Sequence, residues 1–290
     1  MNIVIFANGE RGLEVYKSLL KNNFQISALI TNKKNNIFFK RNIPESSIHN
    51  FENINKERSL NLLKKFEADL FIVAGFSQIF KKEILKIPKL GTINLHAGKL
   101  PHYRGGSPLN WQLINCEKKA GISVIIMDEG IDTGNILAEA EFKINDDDDI
   151  QTLHAKANKI FPKITLESII KLNNGNKGKC QDETNACYWH QRSDIDGKVD
   201  FRNLTATQVH FLIRALSKPY PGAWAIYKDK KVIFRKAILP SLSIKGTPGR
   251  IVYLNGNGPY ILCKDRAILI NEYSVSGNTS FKLINQTYLN

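Results

Sequence analysis

Long apolar runs are missing from this 290-residue chain, and none approaches the ~20 residues that a membrane-spanning helix requires. The opening Met1-Asn2-Ile3-Val4-Ile5-Phe6 reads as a first strand. It lacks the charged start and longer apolar core of a secretory signal, so none is expected. Cysteine is scarce: Cys116, Cys180, Cys187 and Cys263 are too few and too scattered for a disulfide framework, and no Cys-x-x-Cys pair points to a zinc ribbon. Cys180 and Cys187 share one loop-like stretch, where reduced thiols are expected, as in a reducing cytoplasm. Acidic charge is in deficit, with 27 acidic against 41 basic residues and a net charge of +14. That excess favours phosphorylated or polyanionic partners, while a composition rich in Lys, Asn and Ile, as an AT-rich genome produces, accounts for part of it. No internal repeat is visible, and the turn Gly9-Glu10-Arg11-Gly12 is not Gly-x-Gly-x-x-Gly, which leaves a dinucleotide site without support.

What remains is ordinary globular material, 42% hydrophobic and 23% charged, in a chain long enough for one large domain or two unequal ones. The first half alternates between two periodicities. Ile3–Ala7, Ile26–Thr31, Asp69–Ala74, Thr92–Leu95 and Ile122–Asp128 read as strands, while Leu13–Asn22 and Arg58–Phe66 carry apolar residues at helical spacing. Strands alternating with helices predict a mostly parallel sheet covered on both faces. Asn145-Asp146-Asp147-Asp148-Asp149 precedes a helical pattern and is expected to cap it, since five adjacent positions lack the spacing of a calcium loop. Residues 173–185 have the composition of a linker. Beyond it, a helical pattern over 204–216 is followed by short alternating runs, which suggest a small antiparallel β-domain, such as a barrel. The expected division is 1–187, a linker over 188–204, and 205–290.

Chemistry concentrates in two segments: Asn94-Leu95-His96-Ala97-Gly98-Lys99-Leu100-Pro101-His102-Tyr103-Arg104-Gly105-Gly106 and Asp128-Glu129-Gly130-Ile131-Asp132-Thr133-Gly134. In an open parallel sheet ligands bind outside the carboxyl ends of the strands, so Asn94, His96 and Asp132 are expected to meet at one crevice. Asn94 and His96, two residues apart on an extended segment, share a face. A neutral imidazole there can take a proton from an attacking amine, a carboxamide can hold a developing oxyanion, and a carboxylate can orient or charge-stabilise the imidazole. These are the parts for moving an acyl group.

The surrounding motifs resemble the formyltransferase family that uses N10-formyltetrahydrofolate. The match covers Asn94-Leu95-His96, Leu100-Pro101-x-Tyr103-Arg104-Gly105, Ser107-Pro108-Leu109-Asn110-Trp111 and Met127-Asp128-Glu129-Gly130-Ile131-Asp132-Thr133-Gly134. The resemblance implies an α/β fold: a Rossmann-like, mostly parallel sheet followed by a C-terminal antiparallel β-domain, an OB-like barrel. It implies a catalytic triad of Asn94, His96 and Asp132, folate contacts at Phe76, Ile79, Met127, Asp128, Glu129 and Gly130, and no metal. Among acceptors, the tRNA enzymes carry a Gly- and basic-rich loop that Asn32–Arg41 does not reproduce. Ser107–Trp111, Arg192–Gly197 and Leu212–Trp224 look more like the enzymes acting on dTDP- or UDP-linked amino deoxy sugars for surface polysaccharide such as O-antigen. The resemblance implies acceptor contacts at Tyr103, Arg104, Ser107 and Asn110, while Lys99 either reaches substrate or is simply solvated. Arg11 at the first strand–helix turn can meet phosphate, and Arg192 or Arg214 can meet a diphosphate. Tyr220 and Trp224 serve either as a stacking surface for a pyrimidine or as core aromatics. A cytoplasmic homodimer working on small molecules, with no membrane and with tRNA as the alternative acceptor, completes the expectation.

Overall fold

The computed structural model describes residues 1–32, 35–275 and 281–289. Lys33 and Lys34 of the basic loop considered above lie outside the described residues. The chain forms two compact units that interleave in sequence. One comprises Met1–Pro108, Gly121–Phe142 and Ala155–Trp189, the other Leu109–Ala120, Lys143–His154 and His190–Asn290.

The first unit opens with β1 (Asn2–Ala7), α1 (Glu10–Lys21), β2 (Gln25–Thr31), α2 (Asn36–Lys40), β3 (Ile48–Asn50), α3 (Glu57–Lys65), β4 (Leu70–Ala74), α4 (Lys82–Leu85) and β5 (Thr92–His96). Every β1 residue from Ile3 to Ala7 is buried, as a central strand of a covered parallel sheet requires. In α1 the buried residues Leu13, Tyr16 and Leu19 recur at helical spacing. Gly12 is fixed by packing, because a Cβ there would lie 2.1 Å from the Ala7 Cβ. The chain continues through β6 (Arg104–Gly105), α5 (Pro108–Ile114), β7 (Lys119–Ile126), β8 (Ile136–Lys143), α6 (Ile150–Asn173) and β9 (Tyr188–Trp189). The seven-stranded sheet has the order β3-β2-β1-β4-β5-β7-β8. β3, β2, β1, β4 and β5 pair in parallel, but β7 runs antiparallel to β5, with Ile93 opposite Ile126 and His96 opposite Ser123.

This direction corrects one step of the sequence argument. The carboxyl end of β7 lies at the amino end of β5, where Met127 N–H donates to Thr92 O. Asp132 therefore does not reach Asn94 and His96 from a neighbouring parallel strand end. The strand stops at Ile126, and residues 127–135 form a loop closed by the Ile126 N–H to Asn135 O hydrogen bond. The acidic run caps α6 as expected: Asp149 accepts from Thr152 N–H while the Thr152 hydroxyl accepts from Asp149 N–H, each at 2.9 Å.

In the second unit, α7 (Ala206–Ala215) begins at a capping box of Thr205 and Gln208. It is followed by β10 (Ala223–Tyr227), β11 (Lys230–Ile238), β12 (Ile251–Leu254), β13 (Asn257–Leu262) and β14 (Ala267–Val275), an antiparallel sheet of order β10-β11-β14-β13-β12. Val209 and Ile213 of α7 pack with Ala225, Tyr227, Val232, Phe234, Ile261 and Ile268 into a core of this unit's own. Among the described residues no helix is long and apolar enough to cross a membrane. All four cysteines are free, Cys180 and Cys187 at the surface.

Candidate active site

Strand β5 supplies the first two functional side chains. Ile93 and Leu95 are fully buried on one face of Thr92-Ile93-Asn94-Leu95-His96, so the two-residue repeat turns Asn94 and His96 to the other. His96 Nε2 lies 2.6 Å from Tyr103 O. A carbonyl can only accept, so Nε2 carries the hydrogen and the neutral ring keeps its lone pair on Nδ1. That Nδ1 lies 3.5 Å from Asp132 Oδ2. Gly98 makes this tautomer lock possible, since a Cβ there would fall 2.5 Å from His96 Nε2 and 2.6 Å from Tyr103 O.

Asp132 arrives on the loop after β7 with a left-handed backbone, φ 55°. Its Oδ2 accepts from Gly105 N–H at 2.9 Å, and its Oδ1 lies 3.4 Å from Asn94 Nδ2. The three side chains predicted from sequence therefore converge, with a carboxylate between a carboxamide and an imidazole. Two further residues secure the arrangement. Gln181 Nε2 donates to both Asp132 O and Gly134 O at 2.7 Å, and Gln181 Oε1 accepts from Arg104 Nε at 3.0 Å. Arg104 is fully buried and also binds Glu183 through both terminal nitrogens, at 2.9 and 2.5 Å. Hydrogen bonding to Glu183 pushes the guanidinium pKa up and holds the Glu183 carboxyl below its ordinary value.

The residues expected to meet folate lie on two loops that an ion pair joins. Lys82 Nζ and Glu129 Oε1 are 2.6 Å apart, and the same hydrogen bond raises the Lys82 pKa. Ile79 and Ile131 on these loops are 78% and 62% exposed, while Phe76 packs edge-on against Phe6 and Phe80. Apolar side chains presented by two tied loops suit a flat heterocycle. Part of the expected backbone contact is already engaged: Met127 N–H serves the sheet, Gly130 N–H donates to Asp128 Oδ1, and Ile79 O accepts from Asn55.

Several residues expected to touch the acceptor turn inward instead. Arg104 has all three guanidinium nitrogens engaged internally. Asn110, buried, donates to Ala215 O at 2.8 Å. Arg214 donates to Asp148 O and Asn145 O, both at 2.5 Å, and desolvation lowers its pKa. Trp224 is a core aromatic whose Nε1 donates to Asp194 O. Each commits side-chain donors to acceptors within its own unit, which leaves fewer of them to recognise a ligand. Arg11 donates to Leu95 O at 3.2 Å and lies over the Phe161 ring. Lys99 pairs with Glu141 at 2.6 Å, and Tyr103 stacks on Trp189. Ser107 has a left-handed backbone, φ 52°. In the second unit Arg192 is half-buried, with its pKa lowered by desolvation, and Tyr220 lies against His154. Among the described residues no group of three or more His, Cys, Asp or Glu side chains could hold a metal ion.

Comparison with known proteins agrees with this geometry. Residues 1–169 match the formyl transferase family model and residues 192–283 the model of the formyl transferase C-terminal domain. The chain belongs to the formyl transferase family. Among curated relatives, this formyltransferase is 37% identical over 282 residues to the bifunctional polymyxin resistance protein ArnA of Wigglesworthia glossinidia brevipalpis, spanning 93% of this chain and 42% of that protein. It is 34% identical over 222 residues to the methionyl-tRNA formyltransferase of Clostridium novyi (strain NT), spanning 76% and 71% of the two chains. The N-formyltransferase from Helicobacter canadensis, solved with folinic acid and dTDP-3-aminofucose, has the same fold, with a TM-score of 0.69 at 21% identity over 94% of this chain and 99% of that one.

Sequence reasoning overlooked Gln181, Glu183 and the roles of the Tyr103 carbonyl and the Gly105 amide in this formyltransferase. The two side chains lie within or beside a stretch whose Gly, Asn and Lys content reads as linker, and a backbone group leaves no trace in residue type. Gly98 and Gly105 were the available signals, because a glycine beside a reactive residue marks a close backbone approach.

Proposed function

We propose that the enzyme transfers the formyl group of N10-formyltetrahydrofolate to the amino group of a nucleotide-linked amino deoxy sugar, dTDP- or UDP-bound, for surface polysaccharide. The observation that carries the reading is the convergence of Asn94, His96 and Asp132 within 3.5 Å contacts, set beside the Pro108-Leu109-Asn110-Trp111 motif of the sugar enzymes. The fold shared with an enzyme solved with dTDP-3-aminofucose supports the same acceptor class, and the relative at 37% identity is named for polymyxin resistance rather than for a tRNA. The chain spans about two fifths of that relative's length, and only the activity of the shared part is inferred. The enzyme acts in the cytoplasm as a homodimer.

The co-substrate, held between the tied loops of Ile79 and Ile131, supplies an activated formyl carbon. Each residue of the chain then has one task. His96, with Nε2–H committed to Tyr103 O, offers its Nδ1 lone pair to the proton of the attacking amine. Asp132 stabilises the imidazolium that results and relays the proton towards the leaving nitrogen. Asn94 Nδ2 donates to the formyl oxygen as negative charge develops there, a contribution of roughly 3 kcal/mol where such donors have been removed.

Purified protein, N10-formyltetrahydrofolate and a panel of UDP- and dTDP-linked 3-amino and 4-amino sugars test the proposal, with charged initiator tRNA as a parallel acceptor. Formylation of a nucleotide sugar is expected. Formylation of methionyl-tRNA alone would replace the sugar with tRNA, the acceptor of the relatives at 34% identity.

A further inference from the structure

We propose that Gln181 is a positioning residue for Asp132. The inference rests on the reading of Asp132 as a member of the catalytic set, and it extends that set to a side chain from the stretch that reads as a linker.

The orientation of the amide is fixed by its partners. Arg104 Nε can only donate, so the atom 3.0 Å from it is Oε1. The carbonyls of Asp132 and Gly134 can only accept, so the atom 2.7 Å from both is Nε2. The two amide hydrogens are thus divided between two carbonyls of one loop, while the oxygen is held by a buried cation. A reversed amide would set oxygen against two carbonyls and nitrogen against a guanidinium.

The loop needs such a tie. Asp132 holds a left-handed backbone, φ 55°, in a residue other than glycine. The bonds inside the loop, from Gly130 N–H and Thr133 Oγ1 to Asp128 Oδ1, shape its tip, and the Lys82–Glu129 ion pair holds that tip only through exposed side chains. Gly105 N–H attaches the carboxylate, and Gln181 attaches the backbone from which that carboxylate hangs. Rotation of the Asp132 peptide would swing the carboxylate away from both His96 and Asn94.

The segment that bears Gln181 is docked independently of its side chain. Ile136 and Lys179 exchange backbone hydrogen bonds at 2.9 Å on one side, and β9 pairs with β6 on the other. Replacing the side chain therefore leaves the segment in place. Leucine at 181 keeps apolar bulk and removes all three hydrogen bonds. Glutamate keeps the Arg104 contact but turns an acceptor towards two carbonyls.

The test uses Gln181→Leu and Gln181→Glu in the full chain, assayed with whichever acceptor the unsubstituted enzyme formylates, methionyl-tRNA included. A wrong acceptor assignment then leaves the test intact. Both variants are expected to lose about 10- to 100-fold in kcat, the scale of a misplaced reactive group, with KM for both substrates within about twofold. In an Asp132→Asn background, Gln181→Leu is expected to cost less than about twofold more, because residues acting through one group are non-additive. Hydrogen exchange over residues 127–135, which needs no acceptor, is expected to quicken in both variants. Multiplicative losses in the double variant, wild-type turnover in Gln181→Glu, or unchanged exchange in the loop would each overturn the inference.

Discussion

Two guanidinium groups, one in each unit, are similarly buried and differently satisfied. Arg104 is 0% exposed and faces the carboxylate of Glu183, the amide of Gln181 and the hydroxyl of Tyr188. Arg214 is 9% exposed and donates to two peptide carbonyls, those of Asn145 and Asp148. The pKa directions follow from this: pairing raises that of Arg104, whereas burial outweighs the carboxylates around Arg214 and lowers its value. A formal charge pair makes Arg104 a hub through which the Asp132 loop is held. Carbonyl dipoles make Arg214 a clamp on the residues that precede α6. Both sit in motifs where a ligand contact is the natural reading of an arginine. The lesson is that the acceptors decide: the more donors the fold engages internally, the more the residue serves as scaffold.

The side chains proposed to react mark the upper end of the scale against which these arginines are compared. His96→Ala is expected to lower kcat by at least ~100-fold with an unchanged circular dichroism spectrum, and near-normal turnover would remove His96 from the chemistry. Next comes Arg104→Met, which severs the link to Gln181. Steady-state kinetics should show kcat about tenfold lower with KM little changed, together with a lower Tm from the lost hydrogen bonds. Arg214→Met is expected to act on stability alone, lowering Tm by about 6–12 °C for a loss of about 1.5–3 kcal/mol in a unit of this size. A tenfold rise in the acceptor KM of that variant would return Arg214 to acceptor binding and end the contrast.

The smallest effect is a pH dependence confined to one side of the comparison. The Glu183 pKa is lowered by Arg104, so its contribution is complete above the ordinary glutamate value of about 4.3 and is lost as pH falls through the lower folded value. Asp182, lowered mainly by Thr184, follows the same sign. The protection of amides 182–189 against hydrogen exchange, relative to their intrinsic rates, should therefore fall on acidification below about pH 4, and less so in Glu183→Gln. The Arg214 contacts with Asn145 O and Asp148 O involve no titrating acceptor.

The elements that the sequence discloses best are those with one strong periodicity. β1 and β4 are uninterrupted apolar runs, and they lie side by side in the sheet. The two-residue spacing of Asn94 and His96 transfers directly to one face of β5. The direction of β7 was hidden, because a buried strand has the same composition whichever way it runs. The argument from parallel strand ends therefore brought together three side chains that do converge, by a route the fold does not take. Asn110, Arg214 and Trp224 each spend a donor on a main-chain carbonyl, which residue type cannot announce, since it names a donor and says nothing of whether the fold supplies its acceptor. Gln181 was invisible for the converse reason, since its partners are three groups distant in sequence, two of them main-chain.

The neck of the Asp132 loop carries a consequence for how this enzyme can vary. Ile126 N–H meets Asn135 O, and Gly134 lies so close that a Cβ would approach Ile126 O to 1.6 Å. The position of the carboxylate is therefore set by the number of residues between these points, not by the length of the strands outside them. β7 and β8 could lengthen or shorten in step at their far ends while Asp132 stayed where it is. Loss of a single residue inside the neck would instead pull the carboxylate out of reach. The hairpin is free to drift in size, and the turn that crowns it is metered to the residue.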